Sequence, residues 1–202
     1  MDFVKEFAIF LQEIEAIKFG NFKLSSGKDS VYYIDLRIVP SFPHQFRKMI
    51  KTLQNLISEK VGLDSFDYIA SVPTSGLVIA SALAIETVKP LIYVRQKPKD
   101  YGTGSLIEGK ISKGSRVILV DDIGTTGHSL IGAIKALREA KMKVEAAFVI
   151  VNRLEGVSEK LENEKVKLFE ITDILAIANS LYNEKILDDK TLSRIKKQMN
   201  LI

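Results

Sequence analysis

The chain of 202 residues contains no cysteine, so disulfides, thiolate chemistry and cysteine-based zinc sites are excluded together. His44 and His128 are its 2 histidines, too few for a histidine-rich metal centre. No apolar run approaches the roughly 20 residues needed to span a bilayer. The amino-terminal stretch MDFVKEFAIFLQEIEAIKFG carries acids throughout and ends in no small-residue cleavage site, unlike a secretory signal. A cytoplasmic location without a membrane partner is therefore expected. The net charge is +4, but Lys and Glu interleave along most of the chain. No Arg/Lys run with interleaved aromatics appears, so no nucleic-acid partner is expected. The basic excess reads instead as a mixed, solvated surface with a local cationic pocket for a small anion.

What is present is ordinary globular material, 46% hydrophobic and 27% charged, sufficient for a well-filled core. Phe3, Phe7, Phe10, Leu11 and Ile14 recur at helical spacing, and residues 21–37 read as strands and tight turns around Ser26-Gly27. Phe46, Ile50, Leu53 and Ile57 return to helical spacing, with Pro43 suited to a first helical turn. From Tyr68 onward strands and helices alternate: strands at 68–72, 91–95, 116–120, 144–152 and 166–171, helices at 76–86 and 129–141. Apolar strands alternating with helices predict an α/β fold with a mostly parallel sheet covered on both faces. The expectation is a single domain over 1–202, with an amino-terminal cap at about 1–40. The core sheet would occupy about 66–172, and two helices would form a tail at 173–202.

The segment RVILVDDIGTTGHS, Arg116 to Ser129, carries the chemistry. An apolar strand leads to Asp121-Asp122, then Ile123-Gly124-Thr125-Thr126-Gly127-His128-Ser129 opens a helix. Ligands of open α/β sheets lie beyond the carboxyl ends of strands, where these residues fall. Gly124 and Gly127 permit close approach of backbone amides to an anion, and Thr125, Thr126 and Ser129 add hydroxyl donors. The helix start adds unpaired amides and the positive end of its dipole. Asp121 and Asp122 would repel a phosphate, so they suit sugar hydroxyls or a magnesium ion. The spacing is neither G-x-x-x-x-G-K-[ST] nor G-x-G-x-x-G, which disfavours nucleoside triphosphates and dinucleotides. A second strand-to-helix turn, Ala70 to Gly76, would face the same crevice.

DDIGTTGHS resembles the signature of type I phosphoribosyltransferases. The resemblance implies 5-phosphoribosyl 1-diphosphate as ligand with Mg2+, its 5-phosphate on residues 123–129 and its ribose hydroxyls on the two acids, which are also possible metal ligands. Further segments resemble orotate phosphoribosyltransferases in order along the chain: Phe22 to Lys28 with Tyr32 to Arg37, Arg95 to Gly104 with Ile107-Glu108-Gly109, and Val151 to Gly156. By this resemblance Arg95, Lys99 and Tyr101 act on the departing diphosphate from a mobile loop. Thr74 and Ser75 also meet the diphosphate, and Thr125, Arg153, Tyr33 and Ile34 meet orotate. A homodimer with shared active sites is implied as well. Ser25 and Gln96 stand where many members carry basic residues, Tyr101 where many carry histidine, and Asn152 where aspartate is frequent. The expected activity is transfer of a phosphoribosyl group to orotate in pyrimidine biosynthesis. Transfer to a purine or uracil, and a phosphoribosyl-diphosphate-sensing regulator that binds nucleic acid, are the alternatives.

Overall fold

The computed structural model describes residues 3–23, 27, 29–97 and 105–199. In chain order the elements begin with α1 (Phe3–Glu13), β1 (Ile17–Lys23), β2 (Asp29–Ile34), a 3-10 turn (Leu36–Ser41), α2 (Pro43–Lys60) and β3 (Tyr68–Ser71). They continue with α3 (Ser75–Thr87), β4 (Leu91–Val94), β5 (Ile107–Glu108), β6 (Arg116–Gly124) and α4 (His128–Glu139). Last come β7 (Lys143–Asn152), α5 (Val157–Asn163), β8 (Lys167–Asp173), α6 (Ile174–Asn183) and α7 (Asp189–Gln198). They fall into two compact units, one of residues 1–43 with 172–202, the other of residues 44–171.

The first unit is an antiparallel hairpin, β1 with β2, and three helices. The helical spacing seen at the amino terminus becomes α1, whose Phe7, Ala8, Phe10 and Leu11 are buried. Its rings continue the packing, Phe3 stacking on Phe7 at 5.2 Å and Phe10 meeting Phe42 edge-on at 5.5 Å. Asp173 and Asp188 cap α6 and α7, their carboxylates accepting from the Ala176 and Thr191 amides, which satisfies donors that the first helical turn leaves unpaired. The Gln198 side chain accepts from the Val31 amide at 2.8 Å and so ties α7 to the hairpin.

The second unit holds a sheet in the order β5-β4-β3-β6-β7-β8. β3 pairs in parallel with β4 and β6, β6 in parallel with β7, and only the two-residue β5 is shown running antiparallel to its neighbour. Val117 to Val120 are all buried, as a strand flanked on both sides and covered on both faces requires. One core cluster joins Leu130, Ala133, Ile134 and Leu137 of α4 and Val157 and Leu161 of α5 to Leu119, Ala147 and Val149 of the strands. Asp67 and Arg116 fasten the entry to two adjacent strands. The Asp67 amide donates to the Arg116 carbonyl at 2.9 Å, and its carboxylate accepts from the Arg116 amide at 2.8 Å and guanidinium at 2.7 Å.

The α/β fold and its mostly parallel sheet are as the sequence predicts, with one consequential difference of boundary. β6 does not end at Val120 but runs to Gly124, with Asp121 opposite Val149 and Gly124 opposite Asn152. β7 stays buried through Asn152, so its backbone keeps pairing groups on β6 well past the apolar run.

Candidate functional site

The cradle begins on the strand rather than beyond it. Asp121, Asp122 and Ile123 are half-buried on β6, Thr125 and Thr126 are half-buried in the turn, and His128 and Ser129 open α4 exposed to solvent. Gly127 is the residue preceding α4, in a left-handed conformation (φ 76°), and offers no side chain to cap the helix. The helix start therefore presents amides and a positive dipole end at the strand edge, an arrangement that binds anions.

The two glycines have a second reason to be glycines. A Cβ on Gly124 would lie 3.2 Å from Val157 Cγ1, and one on Gly127 would lie 3.3 Å from both Leu161 Cδ1 and Val157 Cγ2. Helix α5 thus packs directly beneath the turn with two fully buried side chains. Backbone access for an anion, the reason inferred from sequence, accounts for only part of this pattern.

The two acids are coupled through the backbone, the Asp122 amide donating to Asp121 Oδ1 at 2.9 Å. Burial, and secondarily the neighbouring Asp122 charge, pushes the Asp121 carboxyl well above the ordinary carboxylate range, because both disfavour its ionised form. Such a group gains from hydroxyl donors or a cation that compensate its charge. Thr74, exposed, precedes α3 and Ser75, half-buried, begins it, and the Pro73–Thr74 peptide is cis.

Arg153 stands beside the cradle, its amide donating to the Gly124 carbonyl at 2.8 Å. Its guanidinium is nearly buried and its Nε donates to Glu155 at 2.9 Å. Asn152 shapes this turn: its side-chain oxygen accepts from the Leu154 amide at 2.8 Å while its amide donates to Ser158 Oγ at 3.2 Å. Asn152 therefore links the strand end to α5. Arg95 follows β4, with its amide donating to the Leu106 carbonyl at 2.8 Å and its guanidinium 3.4 Å from Glu108. Glu155 and Glu108 were not singled out as partners in the sequence, although each lies in a segment that carried the resemblance.

Lys99 and Tyr101, with Ser25, lie outside the described residues. Tyr33 and Ile34 belong to the other unit. There the Ile34 side chain is buried, and the Tyr33 hydroxyl accepts from Arg37 at 3.2 Å. Arg37 in turn holds the Asp35 carboxyl below its usual range through side-chain hydrogen bonds.

The family described as phosphoribosyl transferase domain matches residues 44–183. The orotate phosphoribosyltransferase of Cenarchaeum symbiosum (strain A) is 50% identical over 182 residues, covering 90% of this chain and 91% of that protein. This chain belongs to the orotate phosphoribosyltransferase family. Solved structures agree with that membership. The crystal structure of orotate phosphoribosyltransferase from Aeropyrum pernix matches with a TM-score of 0.79 and 35% identity, over 87% of this chain and 97% of that one. The structure of Leishmania donovani UMP synthase matches with a TM-score of 0.84 and 29% identity over 98% of this chain. This chain spans 42% of that longer protein. Within an orotate phosphoribosyltransferase fold, the β3–α3 turn, the end of β6 and the Asn152–Glu155 turn are the parts that the described geometry brings together.

Proposed function

We propose that this chain transfers the phosphoribosyl group of 5-phosphoribosyl 1-diphosphate to a ring nitrogen of orotate. A C–N bond forms at the anomeric carbon as its C–O bond to diphosphate breaks and the ring N–H proton passes to the departing diphosphate or to solvent, giving orotidine 5′-phosphate and diphosphate. The observation that supports the reading is the hydrogen bond from the Arg153 amide to the Gly124 carbonyl, which ties the Arg153 backbone to the end of β6. A guanidinium pairs with a carboxylate through directed N–H donors, and orotate is a carboxylate. Uracil and the purines lack that group.

In this reading residues 123–129 hold the 5-phosphate, and Asp121 and Asp122 accept from ribose hydroxyls. Thr74 and Ser75 hold the diphosphate from the start of α3. Thr125 borders the base with Arg153. Arg95, Lys99 and Tyr101 act on the departing diphosphate, whose charge grows as the bond breaks and is best stabilised by fixed donors. The acids also fit Mg2+. Among the described residues no cluster of three or more acids or histidines gathers, and magnesium is commonly held by one or two carboxylates together with substrate oxygens. Bound there, the ion would neutralise charge on the diphosphate. No residue need form a covalent bond, so positioning and electrostatics supply the rate.

A homodimer is part of the proposal. Helix α3 leaves Val78 and Ile85, two turns apart on one flank, 42% and 80% exposed, and Val88 after it 88% exposed. Exposed apolar side chains of this kind suit a second copy. No helix among the described residues is long and apolar enough to cross a membrane, and the cytoplasm is the proposed location. The test is incubation of the purified chain with orotate, 5-phosphoribosyl 1-diphosphate and MgCl2. Orotidine 5′-phosphate and an equal amount of diphosphate are expected. Product formed equally without orotate, or none at all, would refute the proposal.

A further inference from the structure

Gly76, the second residue of α3, occupies the tightest glycine position among the described residues. A Cβ there would lie 2.4 Å from Asp121 Oδ1, 2.7 Å from Ser71 Oγ and 3.0 Å from Asp121 Cα. Its backbone has no positive φ, so conformational freedom is not the reason for glycine here. The reason is close approach: the first turn of α3 presses against the end of β6 at the acid pair. Ser71, fully buried, is fixed on the other side of the same gap, its hydroxyl donating to the Val120 carbonyl at 2.7 Å. The Asp121 carboxylate, the Ser71 hydroxyl and the α3 start thus share one small volume, which an added methyl would fill.

Resting on the reading above, we infer that Gly76 is a positioning residue for 5-phosphoribosyl 1-diphosphate. By admitting Asp121 against the first turn of α3, it sets the spacing between the ribose-facing acids and the Thr74-Ser75 turn that takes the diphosphate. One ligand must satisfy both at once, so the gap fixes the separation of its two polar ends. The orotate side of the site, at Arg153, takes no part in this contact. Any side chain at position 76 has to displace the Asp121 carboxylate and the Ser71 hydroxyl, or the helix start itself.

The test is Gly76→Ala. Titration calorimetry with 5-phosphoribosyl 1-diphosphate and MgCl2 reads the contact directly, and steady-state kinetics read KM for each substrate. Binding of the phosphoribosyl donor is expected to weaken at least about tenfold, the loss of one hydrogen bond to a charged group, while KM for orotate stays within about twofold of wild type. Unchanged donor binding, or an equal rise of both KM values, would overturn the inference. Should Gly76→Ala alone fail to fold, the pair with Ser71→Ala decides. With the Ser71 hydroxyl trimmed, the added methyl still meets the Asp121 carboxylate, so the double variant must bind the donor more weakly than Ser71→Ala does, and equal binding by the two would overturn the inference. A wild-type chain that binds the donor but ignores orotate would sink the proposed function alone. One that binds no donor would sink both.

Discussion

Two glycines five residues apart should respond to alanine with opposite signs. Gly127 precedes α4 with φ 76°, and a Cβ there meets Leu161 Cδ1 and Val157 Cγ2 at 3.3 Å. Holding an alanine in a left-handed conformation costs about 1–2 kcal/mol, and crowding a packed site adds about 1 kcal/mol. Gly127→Ala should therefore lose roughly 2–3 kcal/mol, a fall in Tm of roughly 4–12 °C for a chain of this size. Gly132 lies inside α4 with open space around its Cβ direction. Alanine there gains about 1 kcal/mol of helix propensity, a rise of roughly 2–4 °C. Differential scanning calorimetry of the two variants beside wild type reads both changes in one experiment. Binding of 5-phosphoribosyl 1-diphosphate should fall for Gly127→Ala and hold for Gly132→Ala. Equal Tm values for the two variants would refute the reasoning about the cradle turn.

Arg153→Ala should abolish orotate binding and destabilise the chain by about 3 kcal/mol in urea unfolding, because it removes the guanidinium that pairs with the poorly exposed Glu155 carboxylate; trimming Glu155 as well should restore part of the stability. Asp67 is held down to about 2 by the Arg116 side chain and amide, below its unfolded value, so its stabilising contribution is full above about pH 4 and is lost as pH falls toward 2. Asp67→Asn should be less stable than wild type at pH 6, and the difference should shrink at pH 3; a gap that widens on acidification would contradict the assignment. Ile85→Glu on the exposed flank of α3 should shift the chain toward monomer in analytical ultracentrifugation while its Tm changes little, since the side chain is 80% exposed.

The sequence made the larger features legible because each had a length over which a period could repeat. α2 begins at Pro43, as expected, and runs to Lys60, with buried residues at Met49, Ile50, Leu53 and Ile57 that keep a helical stripe. The strand core 117–120 is apolar throughout and lies where it was expected. Short elements left no such signal. β5 has two residues, too few for alternation, and it forms only because β4 offers an edge. α5, VSEKLEN, shows one i, i+4 apolar pair, Val157 and Leu161, amid polar residues. Its role under Gly124 and Gly127 depends on tertiary packing that no local window contains.

The acid pair shows the same limit. Two aspartates after an apolar run read as a loop, since they disfavour strands, yet pairing with β7 keeps them on β6, which runs four residues past Val120. The approach of Gly76 to Asp121 links positions 45 residues apart, and nothing local distinguishes that glycine from one in a flexible turn. Likewise Arg153 was legible as a basic residue past a strand, but its pairing with Glu155 depends on the turn that Asn152 shapes.

The central claim is recognition of orotate at Arg153 beside a cradle for the phosphoribosyl group. Its most direct test offers equal concentrations of orotate, uracil and adenine to the wild-type chain with limiting 5-phosphoribosyl 1-diphosphate and MgCl2, and identifies the nucleotide formed. Orotidine 5′-phosphate alone is predicted. Uridine 5′-phosphate or a purine nucleotide as the main product would contradict the account.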